Sequence, residues 1–321
     1  MQFGDYRIEI IPDTEFRLDG GAMFGIVPRV LWEKTSPPDE FNRIRMNMNC
    51  LFVETPTEKI LVETGIGEKW TEKQTKIYGI FRTKSFAQSL FEKTGCRPED
   101  ITIVVNTHLH FDHAGGNTIL EDEKRRGGEE ESGAEEGEKG RKGEGETSNS
   151  EDQRPKTEDQ RTKDEGRKAI AQFPNARYFV SESEFYAAEN PLERDRASYR
   201  PENWRPLKES GQLELKPDEY EVVEGLTLQK IRGHSETMQT VCLKRGGETL
   251  YGFADLIPTT AHLPYAWIMG YDLFPVETLA AKKILLPKAL HENWICLFYH
   301  NFTGPLCRLT EKESKMQAIA L

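Results

Sequence analysis

From Thr107 to His113 the chain reads Thr-His-Leu-His-Phe-Asp-His, with four side chains of metal-ligand type between His108 and His113. In extended backbone, residues two apart point the same way, so His108 and His110 can present two imidazoles to one ion. Asp112 and His113 follow where the chain must leave that path, and Gly115-Gly116 permits a tight course. Imidazole combined with carboxylate suits zinc, iron, manganese or cobalt rather than calcium. A lone histidine is more often a packed core or surface residue than a ligand. Four donors this close reverse that expectation.

The chain has seven histidines in all, so those outside the cluster are informative. His234 stands in Arg232-Gly233-His234-Ser235, just after a predicted strand. Asp255 stands in Gly252-Phe253-Ala254-Asp255-Leu256, again at a strand end, and His300 closes Leu297-Phe298-Tyr299-His300. A carboxylate buried after an apolar strand needs a partner, and cations would supply it. Other candidates carry less chemistry. His262 and Tyr265, with Trp267, are read as lining a substrate pocket, and Phe24 and Met23 as its wall. His291, at the end of a helix, is read as complementing the helix dipole.

Strands must carry these residues. Tyr6 to Ile11 alternates, Asp19-Gly20-Gly21 reads as a sharp turn, and 49–54 with 59–63 reads as a hairpin. A helix is predicted over Ser85 to Thr94, with Phe86, Leu90 and Phe91 on one face. Ile101 to Val105 is a continuous apolar run of the buried-strand kind. Further strands are predicted at 176–180, 226–231, 240–244, 249–253 and 294–299. Helices are predicted at 181–188 and at 276–290, the latter carrying Leu279, Lys283 and Leu286. Strands dominate each half, an α/β (α+β) pattern of two sheets flanked by helices.

Low apolar content (36%) and high charge (30%) first suggest a poorly folding chain. One segment explains much of it. Residues 121–168 hold 17 acidic and 12 basic residues, with Ala134 as their one apolar side chain apart from a proline. Such text cannot offset the entropy of ordering with buried surface, so it is read as a disordered insertion within a single domain spanning 1–321. It contributes −5 of the net charge of −11. The rest is still acidic, which speaks against a nucleic-acid partner. No apolar run is long enough to span a bilayer. The start lacks the pattern of a signal peptide, and five dispersed cysteines suggest reduced thiols in the cytoplasm.

Taken in order, His-x-His-x-Asp-His, a later Gly-His, a later Asp and a last His resemble the metallo-β-lactamase fold superfamily, from about Arg17 to His300 without the insertion. The resemblance implies a four-layer αββα sandwich of two related halves, with metals at one edge of the sheets. It implies one ion on His108, His110 and His234, and a second on Asp112, His113 and His300, with Asp255 bridging them. The implied cofactors are two divalent ions, zinc first, with manganese, iron or cobalt as alternatives. A hydroxide bridging them would be the nucleophile, with Asp112 orienting it or shuttling its proton.

The text around Leu18 to Gly25 and Asp255 to Thr259 is similar to a lactonase-like, esterase-like and organophosphate-hydrolysing branch. A small ester, lactone or related molecule is therefore the expected substrate, and a homodimer is an admitted assembly. Two departures stand out. Glu63-Thr64-Gly65 replaces Asp-Thr-Gly, and Pro258 stands where some acyl-homoserine lactonases carry a tyrosine. The competing readings are a phosphodiesterase or nuclease of the same fold, a di-iron redox protein, and a binding protein that kept the fold. The acidic balance opposes the nuclease. His110 stands where flavodiiron proteins have a carboxylate. All seven ligand positions are filled, which opposes a protein that lost its catalysis.

Overall fold

The computed structural model describes residues 1–121 and 168–321. The expected charged insertion at 121–168, its two end residues aside, lies outside the described residues. Apolar runs of the first part build one seven-stranded sheet. Its members begin with β1 (Gln2–Phe3), β2 (Tyr6–Asp19), β3 (Arg43–Glu54), β4 (Lys59–Val62) and β5 (Ile103–Val105). A separate two-stranded ladder follows, β6 (Thr118–Leu120) with β7 (Ala169–Ala171), closed by a bond from Glu121 N to Lys168 O of 3.0 Å. The ends of the insertion are thus side by side. Then β8 (Arg177–Ser181) and β9 (Leu213–Lys216) complete the first sheet. In it β4, β5, β8 and β9 run parallel, while β2, β3 and β4 are antiparallel neighbours.

The second sheet takes β10 (Glu219–Val223), β11 (Leu226–Lys230), β12 (Gln239–Arg245), β13 (Glu248–Gly252), β14 (Ile295–Leu297), β15 (Leu306–Lys312) and β16 (Lys315–Ala320), in chain order. The one parallel pair there is β13 with β14. Inward side chains of both sheets share one core. Ile8, Leu51 and Val53 from the first pack in the same cluster as Leu228, Val241 and Leu297 from the second.

The helices are α1 (Gly20–Phe24), α2 (Arg29–Trp32), α3 (Glu72–Tyr78), α4 (Phe86–Thr94), α5 (Phe111–Ala114), α6 (Glu182–Glu189), α7 (Arg205–Glu209) and α8 (Pro275–His291). Phe185 and Ala188 of α6 cover the outside of the first sheet, and Leu286 and Ala289 of α8 cover the outside of the second. Helix, sheet, sheet and helix give the expected four layers. Among the described residues no helix is long and apolar enough to cross a membrane, and the five cysteines are unpaired.

Local details depart from the sequence reading for physical reasons. The turn expected at Asp19-Gly20-Gly21 is a helix start: Asp19 Oδ1 accepts from Ala22 N at 2.8 Å. Gly20 is needed there because a Cβ would stand 2.4 Å from the Trp32 ring. In α4, Phe86 and Leu90 are buried but Phe91 is 52% exposed. Five residues past Phe86, it has rotated off the face that residues four apart share. The buried face of α8 runs through Thr278, Lys282, Leu286 and Ala289 rather than Leu279 and Lys283. Lys282 Nζ donates to the carbonyls of His262 (2.6 Å), Pro264 (2.8 Å) and Trp267 (2.8 Å), which ties that loop to the helix. The hairpin β15–β16, β9, β10 and α3 were not anticipated.

Candidate metal centre

Strand ends bring the donors together. The chain leaves β5 into Thr107 and His108, turns through α5 with His110 at its start, and leaves β13 and β14 into Asp255 and His300. Left-handed backbone on ordinary residues marks one of these exits and that of a neighbouring strand: Ala254 after β13 has φ 48° and Glu63 after β4 has φ 66°. Such conformations cost about 1–3 kcal/mol each and persist only where their surroundings impose them. The buried Glu63 carboxylate accepts from Thr107 N at 3.1 Å and lies 3.4 Å from His113 Nδ1. The substitution of Glu for Asp in Glu63-Thr64-Gly65 therefore serves the histidine loop from behind. Glycines let the two loops touch, since a Cβ on Gly67 would stand 2.2 Å from Gly115 O.

All seven residues singled out from the sequence meet in one place and are buried. They form two groups, His108 with His110 and His234, and Asp112 with His113, Asp255 and His300. Within each group the nearest donor atoms lie within 4.8 Å of one another. Asp255 faces both groups. Its Oδ1 is 3.1 Å from His113 Nε2 and 3.0 Å from His300 Nε2, and its Oδ2 is 3.3 Å from His234 Nε2. His110 Nδ1 and His234 Nε2 stand 3.1 Å apart, and His300 Nε2 is 3.6 Å from Asp112 Oδ2.

The outward nitrogens fix how the rings turn. His108 Nδ1 meets Thr107 Oγ1 at 3.0 Å, and His300 Nδ1 meets the Asn47 carbonyl at 3.1 Å. His234 Nδ1 meets Asp272 Oδ1 at 3.1 Å, and Thr278 Oγ1 donates to the other Asp272 oxygen at 2.7 Å. A neutral imidazole that donates outward through Nδ1 presents a lone pair inward at Nε2, the form a cation requires. His108 Nε2 is buried with no hydrogen-bond partner. An orphaned inward lone pair beside four other imidazoles and two carboxylates fits divalent transition-metal ions.

Electrostatics agree with that fit. Burial, reinforced by neighbouring imidazoles, pulls His108 and His110 well below the ordinary histidine range and keeps them neutral. His113 moves the other way: although burial opposes its charge, the Asp255 and Glu63 carboxylates lift it well above that range. Burial opposes charge on Asp255 too, yet His113, His300 and His234 hold it well below the carboxylate range. The second group thus gathers the carboxylates and the first offers nitrogen donors alone.

Above the donors opens a cavity of about 380 Å³, with Asp112, Asp255 and His300 in its floor. Leu18, Met23, Met46, Phe111 and Met269 give it apolar walls, and Tyr78, Tyr271, Ser198 and Arg194 add polar groups. Met23 stands in the wall as expected, but Phe24, His262 and Tyr265 are not part of the lining. Phe24 is stacked between Trp32 (5.1 Å) and His262 (4.7 Å) behind the wall. His262 is occupied there, with Nε2 2.9 Å from Met23 O and Nδ1 2.8 Å from Thr259 Oγ1. Tyr265 sits 38% exposed on the loop that Lys282 ties down. Sequence reasoning missed Tyr78, Tyr271, Arg194 and Asp272. Each is a common residue in text with no local pattern, and Asp272 meets His234 from 38 positions away.

A family model described as the metallo-beta-lactamase superfamily matches residues 44–290, a span that holds every donor except His300. An N-acyl homoserine lactonase of Bacillus cereus is 32% identical over 85 residues, covering 24% of this chain and 34% of that protein. The match thus spans about a third of the curated relative's length. The solved structure of a probable metal-dependent hydrolase from Staphylococcus aureus is similar at 25% identity. It covers 100% of this chain and 99% of its own, with a TM-score of 0.79. AidC, described as a dizinc quorum-quenching lactonase in complex with a product, shares the fold at 19% identity. It covers 100% of this chain and 96% of its own, with a TM-score of 0.71.

Proposed function

The chain belongs to the metallo-beta-lactamase superfamily, and on that premise we propose that it is a metal-dependent hydrolase with two divalent ions, acting on a small ester, lactone or related molecule. The observation that carries the reading is Asp255, one carboxylate with an oxygen toward each donor group. His108, His110 and His234 would hold one ion; Asp112, His113 and His300 the other; Asp255 both. Zinc suits this imidazole-rich set. Ions bound there would supply a water acidic enough to attack at neutral pH and would polarise the bond to be cleaved.

The chain's own residues do the rest. Asp112 lies in the cavity floor beside His300. It takes the proton of the attacking water and returns it to the departing alkoxide. Met23, Met46 and Met269 shield the reacting groups from bulk water and receive the apolar part of the substrate. A cavity of about 380 Å³ suits a small molecule. Water's oxygen bonds to the carbonyl carbon first, and the bond to the leaving oxygen then breaks, leaving an acid and an alcohol. The curated lactonase relative and the dizinc lactonase neighbour support the substrate class by likeness.

Metal analysis of protein purified without added metal, followed by a panel of lactones, aryl esters and organophosphates, tests the reading. Two equivalents of a divalent metal and turnover within the panel are expected. His108→Ala with His110→Ala should lose metal and turnover together. Unchanged metal content and hydrolysis in that double variant, or activity confined to RNA or oxygen reduction, would overturn the proposal.

A further inference from the structure

Helix α3 is hard to explain by packing. It spans only Glu72–Tyr78 and has no buried residue, and a helix that short does not hold itself in water. Yet both ends are tied. At the start, Gln74 N donates to Thr71 Oγ1 at 3.2 Å and Thr71 N donates to Gln74 Oε1 at 3.1 Å. At the end, Gly79 takes φ 52°, and Arg43 Nη1 donates to the carbonyls of Lys76 (2.7 Å) and Ile77 (2.8 Å). Arg43 is itself held by Asp39, with Nε donating to Oδ2 at 2.9 Å.

What this anchoring fixes is the last residue of the helix. The Tyr78 ring lies 5.2 Å from Trp70 and 5.2 Å from Phe111, and Trp70 and Phe111 meet each other at 5.5 Å. Phe111 is the residue between His110 and Asp112, so the packing registers Tyr78 against the donor loop. Tyr78 lines the cavity together with Asp112 and His300. Its hydroxyl has no hydrogen-bond partner among the described residues. A half-buried phenol held by three fixed elements, with a free donor facing a reaction chamber, is an arrangement for binding an oxygen.

We propose that Tyr78 is a catalytic residue: its hydroxyl donates a hydrogen bond to the substrate's carbonyl oxygen as negative charge collects there. This rests on the hydrolase reading above. As water's oxygen bonds to the carbonyl carbon, the C=O electron pair moves onto the oxygen facing Tyr78. When that pair returns, the ester C–O bond breaks and the leaving oxygen takes a proton from Asp112. Tyr78 keeps its proton throughout. Burial and the nearby Asp112 carboxylate both push its pKa upward, so the donor form is the one present. Tyr271 lines the cavity as well but is 39% exposed, and no aromatic ring grips it. It is the weaker candidate and the natural control.

The test is Tyr78→Phe beside Tyr271→Phe, each with metal content and Tm measured, on an ester or lactone that the wild type hydrolyses. Tyr78→Phe keeps the ring packing and removes only the donor. Its kcat should fall about a hundredfold with KM nearly unchanged. Binding of an alkylphosphonate monoester, read by calorimetry, should weaken at least about tenfold, since a hydrogen bond to a charged group is lost. Full kcat, unaltered phosphonate affinity, a loss confined to KM, or a larger loss in Tyr271→Phe would overturn the proposal while leaving the hydrolase reading intact. A wild type that neither turns over the panel nor binds the phosphonate would instead overturn both.

Discussion

The two donor groups differ in the charge they bring and in what stands behind them. His108, His110 and His234 offer three imidazoles and no carboxylate of their own, and only His234 has a carboxylate, Asp272, at its back. Asp112, His113, Asp255 and His300 offer two carboxylates, with Glu63 behind His113 at 3.4 Å. A dication gains more from the second group, where negative charge is already buried and opposed only by histidines. The first group must bind through nitrogen lone pairs and through the share of Asp255 that reaches it. If each group holds an ion as proposed, the shared carboxylate would couple two sites of unequal strength.

The largest effect should come from removing that coupling. Asp255→Asn is expected to lose at least one of the two metals and nearly all hydrolysis, read by metal analysis and kcat. A variant that keeps both ions would break the comparison. Next, a chelator titrated into the wild type should remove metal in two steps, giving a one-metal species before the apoprotein. One concerted step would mean that the two groups bind equally well. A smaller effect separates the supports: Asp272→Asn should weaken metal binding by roughly 10–100-fold, at the first group. Glu63→Gln, acting across a longer contact, should weaken it less, at the second. Metal affinity at one and two equivalents distinguishes the two.

The smallest effect is on pH. Buried Glu184 accepts from Leu109 N at 2.7 Å, between His108 and His110, and burial raises its pKa to about 7. The folded state therefore binds more protons than the unfolded state between about pH 4.5 and 7, and this group's contribution to stability falls as pH rises through that window. Glu184→Gln should flatten that part of the Tm-against-pH curve. An unchanged slope would show that Glu184 ionises freely in the folded chain.

The floor of the site was legible in the sequence and the walls were not, for one reason. Holding a dication demands scarce residue types, and five of the seven histidines are donors. His108 to His113 could be read locally, and His234, Asp255 and His300 followed from strand ends. A wall asks only for bulk or a hydroxyl, which Tyr78, Met46 or Met269 share with dozens of core positions. Phe24 and His262 lie behind the wall, unforeseen because an aromatic ring in turn or loop text reads the same whether it faces a chamber or stacks behind it. Most of the strands followed from apolar runs, but not their order in the sheets. The hairpin β15–β16 did not, because its charged text exposes one face and hides the alternation.

The left-handed turn at Ala254 has an evolutionary consequence. Glycine would adopt φ 48° without the steric penalty that alanine meets there. A more permissive backbone would also let Asp255 drift from the point where it has an oxygen toward each donor group. Selection for thermal robustness and selection for turnover would therefore pull this one position in opposite directions. A lineage that acquired glycine there would be expected to trade catalytic speed for tolerance.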